Sequence, residues 1–195
     1  SRYVVALRVL SHEREVAMLD LLLEAMRRWG MPAKLYLDNG STYSGDALKV
    51  ACGRLDVALL HAKPYDARAR GKMERFWRTM REGCLDLMRS VSSLHDVQVR
   101  LTTWLSQHYH ARGHAGLIGR TPETVWQERR LRATDEEALV EALTVRERRR
   151  VRGDGTLSIG NIDWEVREHF LVGKNVDVAR TLADPNRAPW IEHAG

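Results

Sequence analysis

No apolar run in this chain reaches membrane-spanning length, and no charged-then-apolar leader stands at its start. A membrane partner is therefore not expected. Cysteine is scarce: Cys52 and Cys84 are isolated, without a C-x-x-C pair or evenly spaced partners. That excludes a disulfide framework and implies reduced core thiols in a cytoplasmic protein. Internal repeats are absent too. What remains is an ordinary globular composition. Hydrophobic residues make up 44% of 195 positions, enough for a packed core and against a disordered chain. The length allows one medium domain, or one domain and a small module.

Charge is unevenly placed. The net charge is +5 and the isoelectric point about 9.5. Between Lys63 and Arg81 lie seven basic residues (Lys63, Arg68, Arg70, Lys72, Arg75, Arg78, Arg81) against two acids, Asp66 and Glu74. A second cluster, "VRERRRVR", covers 145–152, whereas acids gather in "TDEEALVE". Such segregation suits a polyanion such as nucleic acid. The competing reading of either cluster is a solvated arginine-rich surface.

Along the chain, "RYVVALRVL" reads as a buried strand. Val16, Leu19, Leu22, Leu23 and Met26 follow helical spacing over 13–29, ended by Gly30 and Pro32. "AKLYL" is a second short strand, "GDALKVACGRL" a helix and "VALL" at 57–60 a third strand. Alternation of this kind predicts a parallel α/β sheet. After a loop holding Pro64 and Gly71, a long helix is expected from about Lys72, buried through Phe76, Trp77, Met80, Cys84, Leu87 and Met88. A further helix covers roughly 95–110. Thr121 before Pro122 starts another, and "TDEE" at 134–137 has capping-box form with Thr134 as the cap. Past Arg148, short strands alternate with Gly-Asp-Gly, Gly-Asn, Gly-Lys and Asp-Pro-Asn, the texture of a small all-β barrel. The expected organisation is a core over 1–127, a helical linker over 128–147 and a β-barrel over 148–195.

The stretch "LYLDNGSTYSG" carries the chemistry. Asn39-Gly40 after alternating apolar residues is a strong hairpin signal, which makes Asp38 a turn residue. Helix-like sequence follows, however, and "TYS" is too short to pair. Asp38 then becomes a strand-end carboxylate at the rim of a parallel sheet, where α/β sites lie. Glu74 stands alone in "ARGKMERFWRTMR", with 35 residues between it and Asp38 (positions 39 to 73). A strand-end Asp and a helical Glu can meet there and hold a hard divalent cation through oxygen.

These motifs resemble the catalytic core of the retroviral-integrase superfamily, specifically bacterial insertion-sequence transposases of the Asp-Asp-Glu type. "LDNGSTYS" is similar to the family's second-Asp motif and "ARGKMERFWRTM" to its Glu motif. "HYHARGHAGLIGRTPETVW" at 108–126 resembles the segment after the core. The tail resembles the C-terminal barrel of Mu-type transposases. The resemblance implies an RNase H-like core followed by that barrel. Asp38 and Glu74 become metal ligands for Mg²⁺ or Mn²⁺, and the activity becomes two-metal phosphoryl transfer: nicking of 3′ ends and strand transfer for DNA integration. It implies double-stranded DNA, both transposon ends and target, as partner, homo-oligomeric assembly on it, and a bacterial cytoplasmic location at the nucleoid. The family's first Asp has no counterpart, because the acids before Asp38 (Glu13, Glu15, Asp20, Glu24) fall on the first helix. A fragment lacking one carboxylate and two opening strands, inactive by itself, is the resulting expectation. Its rival is a non-catalytic DNA-binding or assembly module.

Arg78 and Arg81, four and seven residues beyond Glu74, share its helix face and would grip phosphates, as would Lys63, Arg70, Lys72 and Arg75. Arg70 and Lys72 flank Gly71 in a loop suited to closure on substrate. Arg148, Arg149 and Arg150 are DNA-backbone contacts or part of a solvated linker. His108, His110 and His114 lack the partners of a zinc site and read as a helix end lining the surface.

Overall fold

The computed structural model describes residues 1–12, 15–37, 46–62 and 67–194. In chain order they form α1 (Glu15–Trp29), β1 (Lys34–Leu37), α2 (Asp46–Arg54), β2 (Ala58–His61), α3 (Ala67–Gly83), α4 (Leu94–Trp104), α5 (Pro122–Gln127) and α6 (Glu136–Ala142). The strands β3 (Thr144–Arg150), β4 (Thr156–Ile159), β5 (Ile162–Glu165), β6 (Asn175–Thr181) and β7 (Trp190–Ala194) follow. Two compact units result: Ser1–Gly45 with Val57–Thr134, and Asp46–Asp56 with Asp135–Gly195. Among the described residues no helix is long and apolar enough to cross a membrane.

In the first unit, α1 buries Leu19, Leu23 and Met26, the spacing read from the sequence. Gly30 ends it at φ +97, and a Cβ there would stand 2.5 Å from the Arg132 carbonyl oxygen. β1 and β2 pair in parallel, Lys34 beside Ala58 through Leu37 beside His61. Parallel neighbours require a crossover, and α2 lies between them in sequence. Mixed α/β architecture is thus present, but the expected first strand is not. Residues 2–10 form no strand.

The reason lies in which groups answer their backbone. The Gln98 side-chain oxygen accepts from Val9 N–H at 2.7 Å while its amide donates to the Leu7 carbonyl at 3.0 Å. Val4 N–H donates to His110 Nε2 at 3.0 Å, and the Trp29 indole donates to the Val5 carbonyl at 2.9 Å. Side chains satisfy the polar groups that a neighbouring strand would otherwise take. The apolar residues still reach a core, since Val4, Leu7 and Val9 pack on Phe76, Met80, Cys84, Leu101, Leu105 and Tyr109.

Other boundaries move as well. α3 begins at Ala67, so Arg70, Gly71 and Lys72 are helical and not part of a loop. α4 passes at Leu105–Tyr109 into a π-helical turn, with His110 N–H donating to the Leu105 carbonyl at 2.8 Å. Thr121 caps α5 as expected, accepting from Thr124 N–H. The cap of α6 is Asp135, which accepts from Glu137 and Ala138 N–H; Thr134 instead donates its hydroxyl to the Met26 carbonyl.

The second unit is β-rich. β3, β6 and β7 make a three-stranded antiparallel sheet and β4–β5 a hairpin. The hairpin turns through Gly160 and Asn161 at φ 60 and 63, the left-handed pair that a two-residue turn needs. Both sheets share one core of Val151, Leu157, Ile159, Val166, Leu171, Val176 and Val178. Within 128–147 the helix is confined to α6, and β3 already starts at Thr144.

Candidate functional site

α3 explains itself from its pattern. Phe76, Met80 and Cys84 recur every four residues and are the buried stripe, each 6–7% exposed. Trp77 sits about 100° off that stripe and is 43% exposed, and Leu87, in a 3₁₀ turn after α3, is 69% exposed. Both were expected in the core. The remaining surface of α3 carries Lys72, Met73, Glu74, Arg75, Arg78, Arg81 and Glu82, all exposed. Glu74, Trp77, Arg78 and Arg81 are related by three, four and seven residues and therefore line one face. None of these charged side chains is paired with an opposite charge among the described residues. Trp77 is the candidate that sequence reasoning missed. The available signal was its position three residues after Glu74 and one residue off the core stripe.

Asp38 and Lys63 lie outside the described residues, as does the side chain of Arg70. The structure does place the carboxyl ends of both parallel strands together: Leu37 pairs with His61, and Ala62 N–H donates to the Leu37 carbonyl at 2.8 Å. In sequence, Asp38 follows Leu37 directly and Lys63 follows Ala62. Among the described residues no group of three or more His, Cys, Asp or Glu is placed to hold a metal ion.

The three histidines part company. His110 is buried at 5% exposure, stacked 3.9 Å from the Tyr3 ring, which itself stacks on Trp126. Burial, and then the charge of nearby His114, push its pKa down to about 4. It is therefore a neutral acceptor for Val4 N–H, a structural group and not the surface residue expected. His114 Nε2 donates to the Tyr109 carbonyl at 3.0 Å. His108 is exposed.

In the second unit, Arg149, Arg150 and Arg152 line a cleft of about 380 Å³ with Ser158, Gly160 and Asn161. Arg149 pairs with Glu147, Arg150 donates its Nε to the Gly173 carbonyl, and Arg152 meets Asp163 at 3.0 Å. Such exposed pairs are weak and can exchange for phosphate. Arg148 is exposed, with no ion-pair partner among the described residues.

Comparison with known proteins follows the same lines. The family model of the integrase core domain matches residues 55–122, which include β2, α3 and α4. A Pol-related polyprotein of a mouse intracisternal A-particle is 29% identical over 85 residues, 44% of this chain and 10% of that protein. An IgE-binding protein of Mus musculus is 33% identical over 71 residues, 36% of this chain and 13% of that protein. The chain thus spans only about a tenth of the length of these curated relatives. Among solved structures, the catalytic core domain of BIV integrase superposes with a TM-score of 0.49 at 20% identity, covering 62% of this chain and 76% of that one. A simian T-cell lymphotropic virus intasome chain gives 0.48 at 18% identity, covering 93% and 63%. Over residues 55–122, the stretch that carries Glu74 and its basic face, this chain is similar to an integrase core.

Proposed function

We propose that this chain is a fragment of a DNA transposase or integrase of the insertion-sequence type, a polynucleotidyl transferase acting on double-stranded DNA. The observation that carries the reading is the exposed face of α3, where Glu74 lies among Lys72, Arg75, Arg78 and Arg81, none of them in an ion pair among the described residues, inside the segment similar to an integrase core. An oxygen donor of this kind fits a hard divalent ion, and the residues that would hold it are Glu74 and Asp38. When bound, Mg²⁺ or Mn²⁺ would lower the pKa of the attacking hydroxyl and neutralise charge on the leaving oxygen. Arg78, Arg81, Arg75 and Lys72 would bind flanking phosphates and hold the strand in register, with Lys63 and Arg70 alongside. Trp77 offers a ring on which a base can stack.

The β-rich unit serves as a second DNA contact through Arg148, Arg149 and Arg150, in the manner of the small barrel of Mu-type transposases. Its support is an arginine-rich strand laid on a single shared core. Assembly as a homo-oligomer on paired DNA ends in a bacterial cytoplasm belongs to the same proposal, as does the organisation into a core over 1–127, a linker over 128–147 and a barrel over 148–195.

The test is nicking and strand transfer on labelled duplex DNA with Mn²⁺, by this chain and by a longer protein in which the opening strands and first Asp of the resembling family are joined to its start. The longer protein is expected to be active and the 195-residue chain inactive. Glu74→Gln in the longer protein is expected to remove at least about 10³-fold of the rate while DNA binding survives. Full activity in that variant refutes the metal assignment. Duplex binding by every form without activity in any of them supports a non-catalytic module instead.

A further inference from the structure

Ile118 stands at φ 55, ψ 47, in the left-handed region, and is 95% exposed. A β-branched side chain is strained there, and at that exposure it packs on nothing that would compensate. The loop that carries it does not need it. Its ends are closed by His114 N–H to the Arg120 carbonyl at 3.1 Å and by Gly119 N–H to the His114 carbonyl at 3.0 Å. Gly113 lies so tightly against the opposite side that a Cβ there would sit 2.3 Å from the Gly119 oxygen. The Ile118 N–H itself donates to the Ala115 carbonyl at 3.0 Å. The result is a rigid tip presenting one bare aliphatic group, at a position that glycine or asparagine would fill without strain.

The sequence around this tip is cationic. Arg112 and Arg120 flank it along the chain and are exposed, Arg112 beside a cleft with Trp104 and Leu87. The Arg2 guanidinium covers Gly116 so closely that a Cβ there would lie 2.5 Å from its Nη2. The acid on this side, Glu128, is held by Arg120.

We propose that Ile118 is a wedge that enters duplex DNA between two base pairs, kinking it, while Arg2, Arg112 and Arg120 neutralise the phosphates on either side. The inference rests on the DNA-processing reading above and adds to it a deformation of the duplex. An apolar side chain set among arginines matches the chemistry by which proteins unstack base steps from the minor groove. Rigidity matters because a mobile tip would lose ordering entropy on insertion. A protein pocket is the lesser fit, since it would have to bury an aliphatic group and answer three guanidinium groups at once.

The experiment uses the full chain and a random-sequence duplex of about 30 base pairs carrying a donor and an acceptor dye at its ends. Binding is followed by anisotropy and end-to-end distance by energy transfer. Wild type is expected to bend the duplex by about 20–90°. Ile118→Gly is expected to bind within about threefold of wild type, because phosphate contacts dominate affinity, and to leave the duplex straight. Ile118→Met is expected to keep the bend, and thermal melting of Ile118→Gly at or above the wild-type temperature verifies its fold. Wild-type binding without bending overturns the wedge and leaves the DNA-processing reading standing; no duplex binding at all overturns both. An unchanged bend in Ile118→Gly, accompanied by loss of self-association in sedimentation, makes the tip a protein anchor and likewise overturns the wedge.

Discussion

At the scale of single residues, His110 shows how a side chain that sequence reading assigned to the surface becomes structural. Its imidazole accepts from Val4 N–H only while neutral, and burial holds its pKa near 4 against an ordinary 6.5. The unfolded chain therefore binds the proton first as pH falls. The contribution is fully present above about pH 6.5 and is lost on the way down to about pH 4. On the order of 2–3 kcal/mol should disappear across that window. Denaturant melts from pH 7 to pH 4 check this, and His110→Asn should flatten the dependence. Ile118 makes the complementary case, since glycine there should raise stability by about 1 kcal/mol through relief of the left-handed backbone, measurable in the same melts.

At the scale of elements, α3 separates two roles that its sequence blends. "ERFWRTM" places Phe76 and Trp77 side by side, and apolar character alone sends both to the core. Only the four-residue recurrence Phe76, Met80, Cys84 distinguishes them, and the packing on Leu101, Leu105 and Tyr109 makes the choice. Phe76→Ala should cost about 3–5 kcal/mol of stability. Trp77→Ala should cost less than about 1 kcal/mol yet weaken single-stranded DNA binding by about 1–3 kcal/mol if bases stack on it. Chemical denaturation and fluorescence anisotropy distinguish the two outcomes. The start of α6 teaches a smaller lesson. Thr134 and Asp135 are both good caps, and the Thr134 hydroxyl is taken by the Met26 carbonyl, leaving the cap to Asp135. Asp135→Ala should lower stability by about 1 kcal/mol in the same denaturation assay.

At the scale of the whole molecule, the charge pattern decides the expected behaviour toward polyanions. A net charge of +5 is modest, but the described basic side chains of both clusters are exposed: Lys72, Arg75, Arg78 and Arg81 on α3, and Arg148, Arg149 and Arg150 on β3 with Arg152 beside it. The logarithm of DNA affinity should fall linearly with the logarithm of salt concentration, and Arg78→Ala with Arg81→Ala should reduce that slope by about two. Anisotropy titrations at several salt concentrations measure it directly. A flat salt response would count against DNA as the partner. A parallel β1–β2 pair around an intervening helix, one long cationic helix and a β-rich C-terminal part were all legible, because each writes its own period or turn residues locally.

Read alone, the amino-acid sequence determined the helices, the short strands, the hairpin turn at Gly160-Asn161 and the basic face around Glu74. Each depends on residues only a few positions apart. Tertiary structure decided what long-range partners decide. Residues 2–10 have every local mark of a strand, yet Gln98, His110 and Trp29 take their backbone bonds from positions far along the chain. The π-helical turn that precedes His110, and the burial that neutralises it, were invisible for the same reason. A hydrogen bond goes to whichever partner the packed chain brings within reach, and local pattern records the demand for that bond without naming its supplier.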